Sequence, residues 1–152
     1  ERYAKRIARA ISEERKLKPI VTTVHLANVV KAAHPRWERH KHPATQTFQA
    51  IRIRINNELE DLKLGLEQSL DVLKIGGRLL VISFHSLEDR IVKRFIRKQA
   101  HAAVELKKLP VIPVEWRPRL KSLGRGIKAD AYAIKVNPRS RSAVLRIAEK
   151  IL

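Results

Sequence analysis

A helix, a short strand and a second helix follow one another in the middle of the chain and predict an α/β fold. Between residues 47 and 74 the apolar side chains fall three or four positions apart, the spacing of an amphipathic helix. The stretch RLLVISF, residues 78–84, is too short for a helix and lacks polar alternation, which favours a strand buried on both faces of a parallel sheet. Leu87, Ile91 and Phe95 then give the second helix its apolar face.

Two short helices are predicted near the start of the sequence. Tyr3, Ile7 and Ile11 recur at four-residue intervals among Arg and Lys, which predicts an amphipathic helix with a basic outer face. In TTVHLANVVKAA, residues 22–33, Thr22 or Thr23 is the expected N-cap of a second helix. The polar, basic and proline-containing stretch that follows, residues 34–45, predicts a loop or a domain boundary.

The helix predicted between residues 47 and 74 is the strongest helical signal in the sequence. Unbroken, it would have about 27 residues and a length of roughly 40 Å. A helix with a kink at Asn56 and Asn57 is the alternative. Gly76 and Gly77 are expected to end it, with Lys74 placed where the helix dipole favours a cation.

The next helix and the final strand are predicted from shorter signals. Ser86, with Asp89 three residues later, predicts a capping box at the start of the helix that follows the strand. Beyond residue 99 the signals weaken, and proline, glycine and arginine are frequent between residues 109 and 129. The alternation in SAVLRIAEKI, residues 142–151, predicts an edge or penultimate strand.

The charge of the chain indicates the class of its partners. Thirty-three Lys and Arg against fifteen Asp and Glu give a formal net charge of +18. Because clustered cations bind phosphates and release their counterions, nucleic acid is the leading expected partner, with an anionic membrane surface as its rival. Cysteine is absent, which excludes disulfides and thiolate chemistry. With no stretch of roughly 18 apolar residues and no apolar leader, a soluble, unsecreted, cytoplasmic protein without membrane partners is expected.

Five polar residues directly follow the predicted strand: His85, Ser86, Glu88, Asp89 and Arg90. Ligands of open α/β sheets bind in the crevice outside the carboxyl ends of the strands, which is where these side chains should lie. Ser86 and Asp89 are explained equally well as a helix cap, and Glu88 as a charge that favours the helix dipole. No capping rule asks for a histidine, so His85 is the residue most expected to face a cleft or a partner.

Two basic segments are candidate phosphate contacts. NPRSRS, residues 137–142, offers Arg139, Arg141 and two hydroxyls on a turn, although an ordinary exposed turn explains them too. In the loop of residues 34–45, Trp37 is available for stacking on a base.

Neither a metal site nor a cofactor loop is predicted. His34, His40 and His42 match no ligand spacing, and the Arg and Lys residues between them would repel a cation. Gly76 and Gly77 precede a strand, whereas the glycines of a phosphate-binding loop follow one. A cofactor would therefore have to be bound by a segment upstream of this sequence.

Three stretches resemble a known family. HPATQTFQAIRIRINNEL, GGRLLVISFHSLEDRIVKRF and NPRSRSAVLRIAEK stand in the order and roughly the spacing of the carboxy-terminal half of the MraW/RsmH family, the small-subunit rRNA cytidine-N4 methyltransferases. The SFHSLEDR block is highly specific, and the resemblance covers almost the whole chain, most loosely between residues 101 and 136.

The resemblance implies a partial class I (Rossmann-like) S-adenosylmethionine-dependent methyltransferase fold with part of an inserted helical domain. Residues 1–46 would belong to the inserted domain, thought to help recognise RNA, and residues 47–152 to the methyltransferase domain. Strands are implied at residues 79–84 and as a hairpin near 119–127 and 142–148. The family's S-adenosylmethionine site would lie upstream, so no cofactor-binding residue is expected in this chain, and the chain alone is expected to be inactive.

Given this resemblance, our hypothesis for the roles of the site residues is as follows. His85, Ser86, Glu88 and Asp89 would line the cleft, with His85 and Glu88 nearest the target nucleotide. The residues expected at RNA are Arg52, Arg90, Arg139, Arg141 and Trp37. The partner would be small-subunit rRNA or a ribosomal subunit, and the exposed edges of an incomplete sheet leave a homodimer open.

Two alternatives without catalysis remain. Residues 7–33 can be read as a helix-turn-helix that binds DNA through its second helix, although this leaves the α/β region unexplained. The other alternative is a basic structural protein of the ribosome.

Overall fold

The computed structural model describes residues 3–35, 42–101 and 117–152, and the chain divides into two compact units, Glu1–Glu58 and Leu59–Leu152. The helices are α1 (Ala4–Leu17), α2 (Thr23–Ala33), α3 (Thr45–Ile55), α4 (Glu58–Val72), α5 (Ser86–Ala100) and α6 (Ala131–Val136), with a 3₁₀ helix at Pro138–Ser142. The strands are β1 (Arg78–Ser83), β2 (Leu120–Ser122), β3 (Ile127–Lys128) and β4 (Val144–Lys150). The chain is therefore a mixed α/β protein, as predicted.

The first unit is helical in the part that the structure describes. Its core is formed by four buried residues of α1, α2 and the start of α3: Ile7, Val30, Ala33 and Ala44. Thr22 is the N-cap of α2, because its hydroxyl accepts a hydrogen bond from the amide of His25 at 3.1 Å. The prediction of a capped second helix is thus confirmed, with Thr22 as the cap.

The long helix predicted between residues 47 and 74 is two helices in the structure. α3 ends at Ile55 and α4 begins at Glu58, and between them Asn57 has a φ of 55°. Asparagine adopts this left-handed conformation more readily than most residues, so the Asn56–Asn57 pair breaks the helix. The apolar spacing continues across the break, which is why periodicity alone predicts one helix.

Strands β1, β4 and β2 form an antiparallel sheet in the order β1-β4-β2, and β3 also pairs with β4. The strands implied near residues 119–127 and 142–148 are therefore present. The prediction of a parallel sheet buried on both faces is wrong for the strands that the structure describes. Leu80 and Ile82 are 58% and 59% exposed, whereas Leu79 and Val81 point toward the core.

Helices α4 and α5 cover the same face of the sheet. The buried core between them consists of Leu66, Leu70, Val92, Ile96, Leu120 and Ala148. Burial of apolar side chains at about 25 cal/mol per Å² is the main stabilising term of such a layer. The turn that joins β1 to α5 is consequently anchored on both sides by this core.

Lys150 connects the end of α4 to the last strand. Its ammonium donates hydrogen bonds to the carbonyl oxygens of Leu70 at 2.5 Å and Leu73 at 2.8 Å. The cation expected at this helix end was Lys74, but the last turn of α4 contains no basic residue and Lys150 of β4 takes that place. Backbone hydrogen bonds from Gly76 to Lys150 and from Lys150 to Gly77 complete the junction.

Among the residues that the structure describes, no helix has both the length and the apolar character needed to cross a membrane.

We expect Lys150→Met to lower the free energy of unfolding by about 2 kcal/mol, because two helix carbonyls lose a charged donor. Urea unfolding of the protein measures this change. The matched control is Lys121→Met on β2, which removes an exposed lysine and should change the free energy by less than about 0.5 kcal/mol. Equal effects of the two substitutions would contradict the capping role.

Candidate functional site

The turn from β1 into α5 is closed by a capping box between His85 and Glu88. His85 is the N-cap residue, and its Nδ1 accepts a hydrogen bond from the Glu88 amide at 3.3 Å. The Glu88 carboxylate in return accepts from the amides of His85 at 3.2 Å and Phe84 at 2.8 Å. The prediction of a capping box at Ser86 and Asp89 is wrong by one residue. The N-cap is His85, although histidine is not among the residues that the capping rules favour.

The cap selects one tautomer of the neutral His85 ring. Nδ1 accepts a hydrogen bond and so carries no proton, which leaves the proton of the neutral ring on Nε2. Nε2 is buried and lies 3.2 Å from Oε1 of Glu88, without a hydrogen-bonded partner among the described residues. In this state Nε2–H is a hydrogen-bond donor and cannot act as a general base.

Asp89 forms an ion pair with Arg146 of β4. Nε of Arg146 donates to one carboxylate oxygen at 2.7 Å, and Nη2 donates to the other at 3.0 Å. These hydrogen bonds hold the pKa of Asp89 below its usual range; burial opposes the shift, and the charges of Arg146, Lys93 and Lys128 assist it. The Asp89 carboxylate therefore ties α5 to β4 and does not face a cleft unpaired.

Arg146 is a residue of this site that the sequence reasoning missed. In the alternating final strand it lies on the same face as Ala148, which is fully buried. A charged side chain on a buried face requires a partner of opposite charge, since an isolated buried ion is strongly unfavourable. That signal was present in the sequence, although it did not identify Asp89 as the partner.

The outward-facing part of the turn is formed by Phe84, Ser86 and Leu87. Ser86 is exposed in the first turn of α5, and the side chains of Phe84 and Leu87 are 55% and 41% exposed. The structure thus brings His85, Ser86, Glu88 and Asp89 together at the carboxyl end of β1, as predicted. Glu88 and Asp89 are engaged in internal hydrogen bonds, whereas the Ser86 hydroxyl lies at the surface.

The candidate RNA contacts differ in how accessible their charges are. Arg52 is held by Glu58 through two hydrogen bonds of 2.8 and 3.0 Å, so a phosphate would have to compete with a carboxylate. Arg90 is exposed on α5, and Arg139 and Arg141 are exposed on the 3₁₀ helix, where Asn137 caps the backbone. Trp37 lies outside the residues that the structure describes.

Two of the three histidines considered as metal ligands have structural contacts. The His34 ring packs edge-to-face against Tyr3, with ring centroids 4.8 Å apart. Nδ1 of His42 accepts a hydrogen bond from the Ala44 amide at 3.2 Å, next to the start of α3. His40 lies outside the described residues.

The chain is similar over nearly its whole length to members of one protein family. The sequence model of the MraW methylase family matches residues 1–151. Three relatives named ribosomal RNA small subunit methyltransferase H come from Legionella pneumophila, with 57% identity in strains Paris and Philadelphia 1 and 56% in strain Corby. Each match covers 99% of this chain and 49% of the relative, so the chain spans about half the length of the curated relatives it matches.

We expect Asp89→Asn to lower the free energy of unfolding by about 2 kcal/mol at neutral pH, because Arg146 loses its charged acceptor. Since the folded protein depresses the pKa of Asp89, this contribution is complete above the unfolded value of about 3.9 and is lost as the pH falls through the folded value. Urea unfolding of both proteins from neutral to acidic pH should show the difference shrinking in acid.

The matched control for this prediction is Asp71→Asn. Asp71 pairs with Arg119 at 3.3 Å, but its side chain is 76% exposed, so solvent screens the interaction. The loss should stay below about 1 kcal/mol. A pH-independent difference for Asp89→Asn would contradict the ion-pair explanation.

Proposed function

The chain belongs to the MraW methylase family, and we propose that the full-length protein transfers a methyl group from S-adenosylmethionine to the N4 amine of a cytidine in small-subunit rRNA. The observation that carries this proposal is the family match over residues 1–151, together with 57% identity to relatives named rRNA small subunit methyltransferase. The N4 position comes from the resemblance of the SFHSLEDR block, residues 83–90, to this family.

We further propose that the methyltransferase domain has a class I, Rossmann-like fold and that residues 1–46 are part of a helical domain inserted into it. The order α4-β1-α5, with both helices on one face of the sheet, supports this assignment. The opposite face of β1 exposes Leu80 and Ile82, which suits a sheet covered by further elements of a protein twice this length.

The two carboxylates at the turn after β1 do not fit the cofactor. Binding of S-adenosylmethionine in this fold class requires a free carboxylate for its ribose hydroxyls, by analogy with dinucleotide sites. At the carboxyl end of β1, Glu88 is occupied by backbone amides and Asp89 by Arg146. We therefore propose that the cofactor site lies in the upstream half, and we expect that the chain alone does not transfer methyl groups.

The role left for this chain is to position the target nucleotide. The cytosine amine is a poor nucleophile because its lone pair is delocalised into the ring, so its orientation toward the methyl donor is decisive. The base must also leave its RNA helix to reach an enclosed site. Groups at the carboxyl end of β1 stand where substrates of open α/β sheets bind.

His85 is the residue of this turn best suited to bind the nucleotide. A buried N–H without a hydrogen-bonded partner is unfavourable in the free protein, and an acceptor on the nucleotide would satisfy it. Because Nε2 is a donor that lies 3.2 Å from the Glu88 carboxylate, which would repel a phosphate, His85 would bind a neutral carbonyl oxygen, and the proton of the amine would be accepted elsewhere. The exposed Ser86 hydroxyl, one residue away, can bind the same nucleotide.

Phosphate contacts are proposed for Arg90, Arg139, Arg141 and, if it exchanges Glu58 for a phosphate, Arg52. Trp37 remains a prediction as a stacking residue. The partner would be rRNA or a ribosomal subunit, and a homodimer and a cytoplasmic location also remain predictions.

The alternative functions are less well supported. As a recognition helix, α2 would present side chains to base edges, yet its only lysine or arginine is Lys31 and it exposes Val24. His25 is held by Glu14 of α1 at 2.8 Å. Transfer of labelled methyl groups to small ribosomal subunits by the full-length protein tests the proposal against both non-catalytic readings, which predict none.

We expect His85→Ala and His85→Asn, placed in the full-length protein, to separate the capping role of His85 from a role at the nucleotide. His85→Ala removes the cap and should lower the free energy of unfolding by about 1 kcal/mol, whereas asparagine is a good N-cap and should preserve it. Both remove Nε2–H, so methyl transfer should fall about tenfold or more in both. Methyl transfer at the wild-type rate by His85→Asn would leave His85 with the capping role alone.

A further inference from the structure

The solvent-facing side of α5 carries a row of cations that we call the α5 basic face: Arg90, Lys93, Arg94, Arg97 and Lys98, all exposed. At about 100° per residue, these five positions fall within an arc of roughly 140° around the helix. Val92 and Ile96, on the opposite side, are buried in the core. The helix therefore presents its cations in one direction, and its core contacts hold that direction fixed.

The acids of α5 form no ion pair with this face in the described part of the chain, although the charge of Lys93 acts on Asp89 without such a contact. Glu88 is bound to the amides of Phe84 and His85, and Asp89 is bound to Arg146. None of the five cations forms an ion pair in the part of the chain that the structure describes. Like charges three and four positions apart on a helix repel one another, so the face is electrostatically unfavourable until an anion binds it.

The residue composition of the face favours double-stranded over single-stranded RNA. From residue 90 to residue 98 it extends for roughly 12 Å along a straight helix, at about 1.5 Å per residue. Single-stranded nucleic acid is bound mainly by stacking of bases on aromatic side chains. The aromatic residue of α5, Phe95, packs against the core and is not part of the face. Charge without a stacking surface suits the phosphates of a double helix, which is recognised by its backbone.

The position of the face relates it to the candidate site. α5 begins at Ser86, directly after His85, and Arg90 follows about one turn later. A nucleotide bound at the turn would thus have its neighbouring phosphates close to the start of the basic face.

We propose that the α5 basic face binds the phosphate backbone of double-stranded RNA next to the nucleotide that is methylated. This inference rests on the proposed function, which supplies the RNA substrate, and it adds four cations to Arg90. It also assigns duplex binding to the α/β unit, separately from any contribution of the helical unit.

The test uses the full-length protein carrying Arg94→Gln and Arg97→Gln together. Affinity for a short RNA duplex from the small subunit is measured by titration over a series of salt concentrations. We expect the double variant to bind about tenfold more weakly near physiological salt and to show a smaller salt dependence, by about two released counterions. Arg94→Lys with Arg97→Lys retains both charges and should restore most of the affinity.

The matched control removes two charges from the same unit outside this face. Lys63→Gln with Lys121→Gln changes an exposed lysine of α4 that is paired with Glu60, and an exposed lysine of β2. This control should bind the duplex within about twofold of the wild type. Equal losses in the two double variants would overturn the inference, as would a loss confined to single-stranded RNA.

Methyl transfer to small subunits, measured on the same wild-type preparation, separates the two proposals. If the wild type transfers methyl groups and the Arg94→Gln, Arg97→Gln variant binds duplex normally, the inference about α5 is wrong and the proposed function stands. If the wild type transfers none, the proposed function is wrong.

Discussion

The ion pair between Asp89 and Arg146 is the interaction on which the geometry of the candidate site depends. It joins the first turn of α5 to β4 across 57 residues of sequence, with two hydrogen bonds of 2.7 and 3.0 Å. Because β4 also pairs with β1 along the whole length of β1, the strand before the turn and the helix after it are both held by β4. The position of His85 therefore follows from contacts far away in sequence and not from its neighbours alone.

This arrangement also explains how the charge of the α/β unit is distributed. A carboxylate in a partly buried turn needs donors, and Glu88 and Asp89 find them in backbone amides and in Arg146. The two acids of α5 are thereby directed inward, while the cations of the α5 basic face remain outside. The same helix thus contributes a capped turn and a surface of five exposed cations. These cations are one part of the chain's net charge of +18.

Much of the fold could be predicted from the sequence because it depends on local signals. The apolar spacing of α1 and α2, the Thr22 cap and the strand after Gly77 are all properties of short segments. The wrong predictions arose where two local signals competed or where the partner residue is distant in sequence. At Asn57 a left-handed residue interrupted a continuous apolar pattern. At α5 two overlapping boxes were compatible with the sequence, and the structure uses the one at His85 and Glu88.

The place of the candidate residues in the fold could be predicted from the sequence, but their hydrogen bonds could not. Its place at the carboxyl end of β1 follows from the order of elements, which sequence reveals. The ion pair of Asp89 depends on Arg146, 57 positions further along the chain, and no short-range pattern identifies such a pair. The sheet was predicted as parallel because an apolar strand without alternation usually has neighbours on both faces. Among the residues that the structure describes, α4 and α5 cover one face of β1, and no element covers the other.

The hydrogen bonds of the acids and the exposure of the cations indicate which kind of ligand this part of the chain suits. A site that binds a cationic cofactor and its ribose needs free acidic groups, and a site that binds RNA needs free cations. At the turn after β1 the acids are engaged internally, and the cations of α5 have no ion-pair partner among the described residues. Among the described residues of this turn and of α5, the charges without an ion-pair partner are therefore cations, which suit a polyanion.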